Sequence, residues 1–204
     1  PHERKYVLCA AQNMFKIIFC DLLTVGELRN GMSYSTTHKP KTRARIVECA
    51  RMLFNRHGYD NVSIDMVMAR ANLTRGGFYS HFRSKEELFA AAVSSFLMGR
   101  GAQWRAKAGI DPTKPTREAA SQMLAGYLSK EHLGDIEGQC PMSALPSDIS
   151  RSSPEVQAAY QELLTAMVGL FENSLAGPAR AMRQTALVLA ALSVGGMVLA
   201  RTLP

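Results

Sequence analysis

From Lys41 to His57 apolar side chains recur at helical spacing, at Ala44, Val47, Ala50, Met52, Leu53 and Phe54, and Gly58 follows where a helix needs a C-terminal stop. Ser63 then heads Ile64-Asp65-Met66-Val67, a hydroxyl placed to cap a short second helix running to about Ala71. Asn72 and Leu73 make a turn, and Thr74 is positioned to cap a third helix containing Gly76, Gly77, Phe78, Tyr79 and Phe82. Ser84, with Glu87 three positions on, reads as a capping box opening a fourth helix through Leu88, Phe89, Ala92, Val93, Phe96 and Leu97 toward Arg100. Beyond a loop near residues 110–115, helical patterns recur over 116–132, 141–150, 154–175 and 179–201, punctuated by Gly134, Gly138, Pro141, Pro154, Gly177 and Pro178. No strand pattern competes and no internal repeat is visible. The expectation is an all-α chain: a small three-helix unit over 38–84 and a larger helical unit over 85–204, preceded by an extension over 1–37.

Two apolar stretches test for membrane segments. Residues 6–25 follow Arg4-Lys5 like a signal peptide, but Gln12, Asn13, Lys16 and Asp21 interrupt the run. Met32 opens a polar run and reads as a natural start, with residues 1–31 upstream of it; the alternative is an extra helix with Val7, Leu8, Phe15, Ile18, Phe19, Leu22 and Leu23 on one face. Residues 186–200 are apolar but short for a span and contain Ser193, Gly195 and Gly196, so they read as a buried helix. No membrane partner is expected.

Charge changes the picture. The formal net charge is +7, and residues 32–85 alone hold ten Lys/Arg (Lys39, Lys41, Arg43, Arg45, Arg51, Arg56, Arg70, Arg75, Arg83, Lys85) against three acids, Glu48, Asp60 and Asp65. A concentrated excess suits a polyanion, because basic side chains that neutralise phosphates release counterions; a solubilising basic face is the plain alternative. Cys9, Cys20, Cys49 and Cys140 are too scattered for a disulfide framework or a zinc site, which fits a reducing cytoplasm. The histidines stand in no catalytic or metal motif, and GxSxG, HExxH and glycine-rich phosphate loops are missing, so neither an enzyme nor a cofactor is expected.

Two short helices around a tight turn match a helix-turn-helix. Ile64, Val67, Ala71, Leu73, Phe78 and Phe82 would fix the angle between them, leaving Thr74, Arg75, Tyr79, Ser80 and His81 outside. Arg75 can pair with guanine or with phosphate, and Gly76 and Gly77 let a backbone approach DNA closely. A helical glycine costs about 1 kcal/mol relative to alanine, so two in succession call for a reason. Tyr79 and His81 can donate to phosphates, Lys85 can reach the backbone, and Ser63 and Thr74 sit at helix N-termini that favour phosphate. Arg43 completes the expected DNA-contacting set.

The run Thr74-Arg75-Gly76-Gly77-Phe78-Tyr79-Ser80-His81-Phe82-Arg83-Ser84-Lys85-Glu86-Glu87-Leu88 resembles the TetR-family signature, in which a hydroxyl-led helix ends in Tyr-x-His-Phe and continues as x-Ser-Lys-Glu-x-Leu. Phe54-x-x-x-Gly58-Tyr59, with Ser63-Ile64 soon after, is similar too. Ala71-Asn72-Leu73 departs from the family's Ala-Gly-Val, but Asn tolerates a left-handed turn.

The resemblance implies a homodimer that binds a palindromic double-stranded operator and is released by a small molecule. Helix 154–175, with Val156, Ala159, Tyr160, Leu163, Leu164, Met167, Leu170 and Phe171, and helix 179–201 would build a four-helix interface. Phe96, Trp104, Met123, Tyr127, Cys140 and Met142 are candidate linings for an apolar or aromatic ligand, though the same residues serve equally as core. Gly138-Gln139-Cys140-Pro141-Met142 resembles a turn found in part of the family. Cys140 there is either a sensor, if the following helix stabilises its thiolate, or a small buried residue. The chain stops at Pro204, where related proteins often continue. The rival to a sequence-reading repressor is an architectural protein that binds DNA without sequence preference.

Overall fold

The structure, a computed structural model, describes residues 38–203, and within them every regular element is helical. The expectations about residues 1–37 fall outside the described residues. Helix α1 (His38–His57) buries Ile46, Val47, Ala50, Leu53 and Phe54 along one stripe and ends with Arg56 and His57 near its carbonyl terminus. Gly58 takes the left-handed conformation, φ 76°, and its N–H closes onto the Phe54 carbonyl at 2.8 Å.

Helix α2 (Ile64–Arg70) starts as its sequence dictates, with Ser63 Oγ accepting from the Met66 N–H at 3.1 Å. It stops in a Schellman arrangement, Leu73 N–H to Met68 carbonyl and Asn72 N–H to Ala69 carbonyl, both 2.9 Å. Asn72 carries the positive φ of 54°, so the departure from glycine keeps the left-handed turn. The third segment differs from expectation. Arg75–Ser80 is a 3-10 helix, and Thr74 makes no side-chain cap; its carbonyl instead accepts the Gly77 N–H at 3.0 Å. Two adjacent glycines weaken α-helix propagation, and burial of Phe78 and Phe82, stacked at 5.7 Å, holds the segment instead.

Helix α3 (Lys85–Met98) has the expected Ser84 cap on the Glu87 N–H, but the Glu87 carboxylate turns back to the Arg83 N–H, at 2.8 Å. It ends at Gly99, short of Arg100, because a side chain there would lie 2.7 Å from the Ser95 carbonyl oxygen. Helix α4 (Arg100–Lys107) follows in a new direction. The expected helix 116–132 divides into α5 (Glu118–Tyr127) and α6 (Lys130–Gly134), since Ser129 Oγ caps the His132 N–H at 3.1 Å and starts a new helix. The expected helix 141–150 divides into α7 (Pro141–Ala144) and α8 (Pro146–Ser150), because Pro146 has no amide to donate and forces Leu145 out of helical geometry, to φ −129° and ψ 24°. Helices α9 (Pro154–Ser174) and α10 (Ala179–Thr202) lie where expected.

Helix α3 is central. It packs on α1 on one side and on α9 on another, and α9 packs in turn on α10. Phe89 of α3 meets Phe54 edge-on at 4.9 Å and Tyr59 at 4.8 Å, so residues 38–84 share one core with the body. Helix α10 is not the buried helix expected. It is long and apolar enough to cross a membrane by length and composition, but it buries Ala186, Ala190, Ser193 and Met197 and exposes Leu187, Val188, Leu192 and Leu199.

The α6–α7 connection, 135–140, grips α1 and α2. Arg51, nearly fully buried, donates to the Glu137 carbonyl at 2.7 Å, and Asn55 donates to the carbonyls of Glu137 and Gln139 at 3.1 and 2.8 Å. The Glu137 carboxylate pairs with Arg56 of α1 at 3.0 Å and Arg70 of α2 at 2.7 Å. The Arg70 hydrogen bond holds the Glu137 carboxyl below its ordinary 4.5, so its contribution to stability is complete above that value and disappears as pH falls through the lower folded one. Replacing Glu137 by Gln should cost about 1 kcal/mol or less, since both arginines are partly exposed. Urea midpoints should show a loss at neutral pH that shrinks in high salt and vanishes in acid. A loss independent of salt and pH would mean that packing, not charge, is what Glu137 supplies.

Candidate nucleic-acid interface

The turn between α2 and the 3-10 helix positions the candidate contacts. Val67, Met68, Ala71, Phe78 and Phe82 point inward and are buried, which leaves Thr74, Arg75, Gly76 and Tyr79 together on an exposed face. Tyr79 is 60% exposed, supported only at its edge by Phe78 at 5.2 Å, unusual for a large aromatic side chain with no protein contact to gain by it. A Cβ on Gly76 would meet nothing within 4 Å, and one on Gly77 only ordinary contacts to Met68 and Thr74. Packing among the described residues therefore gives no reason for either glycine. Ser63 stays exposed while capping α2.

Three candidates are held back from that face. Lys85 lies with Nζ 4.1 Å from the centre of the Tyr59 ring, and burial there lowers its ammonium below the usual range. Tyr59, unremarked among the candidate contacts, is anchored in turn by its hydroxyl donating to Glu86 at 2.8 Å. Arg43 places its guanidinium 4.4 Å from the centre of the Phe82 ring, and His81 is half-buried. Arg75 is engaged as well, by an ion pair from Nη1 to the Asp65 carboxylate across the turn. Asp65 carried no role in the sequence reading beyond its charge. The signal that could have found it is its position, ten residues before Arg75 and at the start of the bracing helix.

The expected ligand-pocket residues pack in or against the core. Trp104, Tyr127 and His132 form a closed edge-to-face cluster, with Trp104–His132 at 4.6 Å and Tyr127–His132 at 4.7 Å. Tyr127, Cys140 and Met142 are buried in the core, and Phe96 and Met123 pack against it. His132 Nδ1 lies 2.7 Å from the Tyr127 carbonyl, and Nε2 accepts the Cys140 N–H at 3.2 Å. The imidazole is therefore neutral, with its proton on Nδ1, and burial lowers its pKa accordingly. A groove of about 900 Å³ lies between α1, α3 and α9, bordered by Val47, Glu48, Ala91, Glu155 and Glu162. None of the six expected pocket residues borders it.

Cys140 does not have the activated thiolate that a sensor needs. It is fully buried, and desolvation pushes its thiol up to about 11, outweighing the short helix that begins at Pro141.

Comparison with known proteins finds likenesses for this segment and for the fold. Residues 46–92 match the family model described as "Bacterial regulatory proteins, tetR family". The chain is 40% identical over 57 residues to the transposon Tn10 TetC protein of Escherichia coli, a stretch covering 28% of this chain and 29% of that protein. The sequence match thus spans under a third of the relative's length. Among solved structures, a TetR-family transcriptional regulator from Agrobacterium tumefaciens superposes with a TM-score of 0.59 at 22% identity, over 81% of this chain and 90% of that one. The multidrug binding protein EbrR, complexed with imidazole, gives 0.60 at 22% identity over 87% and 90%. These likenesses show the all-α fold; the matched relatives are regulators, not enzymes.

Alkylation of the folded chain at mildly basic pH, mapped by peptide, should label half-buried Cys49 and leave Cys140 unmodified until denaturant is added. Rapid labelling of Cys140 in the folded chain would restore the sensor reading.

Proposed function

We propose, from the premise that this chain belongs to the TetR family of bacterial regulatory proteins, that it is a transcriptional repressor which reads a palindromic operator as a homodimer and is released from it by a small molecule. The observation that carries the reading is the exposed Arg75–Tyr79 face, where, among the described residues, neither glycine is required by internal packing and Tyr79 leaves most of its ring exposed beyond its edge contact with Phe78. Arg75 is the base-reading side chain. Tyr79, His81, Thr74 and the free amides near Ser63 meet phosphates, with Arg43 and Lys85 supplying positive charge to the DNA backbone.

In this reading 38–84 is the DNA-binding domain and 85–203 the ligand-binding and dimerisation domain. The division is functional, because Phe89 and Phe54 join the two in one core. The partner copy covers the exposed apolar face of α10, at Leu187, Val188, Leu192 and Leu199. Two-fold symmetry then sets the recognition segments about 34–36 Å apart, one turn of duplex. An apolar or aromatic ligand is the natural class, as the description of EbrR as multidrug binding illustrates for that protein. Its entry requires either that the Trp104–Tyr127–His132 cluster open or that the groove between α1, α3 and α9 receive it.

Selection from randomised duplex DNA should return a two-fold symmetric sequence. Arg75→Ala should then weaken binding to it by about 1–3 kcal/mol and relax preference at one position in each half-site, while Tyr79→Ala should weaken all sequences alike. Enrichment of no sequence, with tight binding to everything, would instead support the architectural alternative. Leu192→Glu should convert a dimer into a monomer in sedimentation while leaving helix content unchanged; an unaltered dimer would move the interface off α10.

A further inference from the structure

We infer that Asp65 is a specificity-determining residue: its carboxylate holds the Arg75 guanidinium in one orientation on the DNA-facing surface, exchanging some affinity for sequence discrimination. The inference rests on the DNA-binding reading above and deepens it.

Asp65 is the only acid between Asn61 and Ser84, a stretch that also carries Arg70, Arg75, His81 and Arg83. A carboxylate on a surface meant for phosphates repels the ligand, so its presence weakens non-specific binding. Stability does not account for the pair with Arg75, because both side chains are more than half exposed, and such ion pairs contribute little. Position at the start of α2 favours an acid there through the helix dipole, but that effect needs no arginine opposite.

What distinguishes Asp65 is where its partner sits. Arg75 is the first residue of a short 3-10 helix followed directly by Gly76 and Gly77, and Thr74 before it has no side-chain cap. A long arginine side chain there, with no cap or helical turn packed over it, has many rotamers open to it. Helix α2, by contrast, is capped by Ser63 and locked at its end by the Asn72 turn. The ion pair spans the turn and ties the mobile side chain to the rigid helix. Bidentate pairing with guanine requires a fixed guanidinium plane, whereas contact with a phosphate tolerates many. A fixed Arg75 therefore reads bases, and a released one drifts to the nearest phosphate.

The test uses the full chain and the duplex it selects from random sequence, with Asp65→Asn, Arg75→Ala and the double variant, each checked for unchanged helix content. Asp65→Asn should strengthen binding to unrelated DNA about two- to fivefold through loss of one negative charge. It should also lower the ratio of selected to unrelated affinity by about fivefold or more, with the loss at the base position that Arg75→Ala also relaxes. In the Arg75→Ala background, the same change should still strengthen unrelated binding but leave the ratio where Arg75→Ala put it. A ratio unchanged by Asp65→Asn, with both affinities rising in parallel, would reduce Asp65 to a general repulsive charge and overturn the inference while sparing the regulator reading. An equal fall of the ratio in the Arg75→Ala background would overturn it too, since Asp65 would then act independently of Arg75. If the wild type enriches no sequence at all, the regulator reading fails first and the inference with it.

Discussion

Phe89 of α3, wedged between Phe54 of α1 and Tyr59 beyond it, is the contact on which the remaining arrangement depends. The helix-turn-helix is too small to bury a core of its own. It borrows one: the 3-10 segment packs on α2, α1 lays Phe54 against Phe89 of α3, Phe78 and Phe82 join the same buried cluster, and α3 carries that packing through to α9. The 135–140 connection adds a polar counterpart, with a buried arginine and asparagine of α1 satisfied by loop carbonyls and one glutamate bridging α1 and α2. Any motion of the body that shifts α3 or that loop must move the recognition face as a unit, because packed interiors transmit displacement rather than absorb it.

Rigidity is distributed unevenly over that face. Helix α2 is capped at both ends and its inner residues are buried, whereas the segment after the turn is a six-residue 3-10 helix containing two glycines. Glycine there removes side chains from the path of an approaching backbone and weakens the local helix at the same time. The structure offsets that weakness from outside the segment, through the aromatic pair beneath it and the ion pair from Asp65 beside it. Positive charge is likewise held in place: Arg43 and Lys85 lie over aromatic rings of the core, so their cations stand behind the contact face with little freedom.

Aromatic and polar contacts knit the body together around α6. Trp104, Tyr127 and His132 pack edge to face, and a neutral histidine bonded at both nitrogens knits α6 to the Cys140 turn. The groove between α1, α3 and α9 has walls that mix alanines with glutamates. Helix α10 meanwhile divides its small residues inward and its larger aliphatic ones outward, a distribution suited to a second helical layer.

The amino-acid sequence by itself determined the helices that carry the candidate site: Ser63 and Ser84 as caps, Gly58 and Asn72 as left-handed stops, and the inward spacing of Val67, Phe78 and Phe82. It also carries the resemblance to the TetR family, through the residues from Thr74 to Leu88. These features depend on hydrogen bonds and side-chain periodicity within a turn or two, so neighbours in the chain suffice to decide them. Legibility failed where that condition lapsed. Thr74 had the chemistry of a cap, but the glycines after it let a tighter helix form, satisfied by the Thr74 carbonyl instead. Trp104, Tyr127 and Cys140 had the composition of a pocket, and only packing showed the space between them to be filled. The grip of Glu137 on Arg56 and Arg70, across 81 and 67 positions of sequence, and the hold of Asp65 on Arg75 across the turn were decided by the tertiary structure alone. A charged side chain pairs with whatever opposite charge folding brings within reach, and its own sequence neighbourhood carries no record of which one that is.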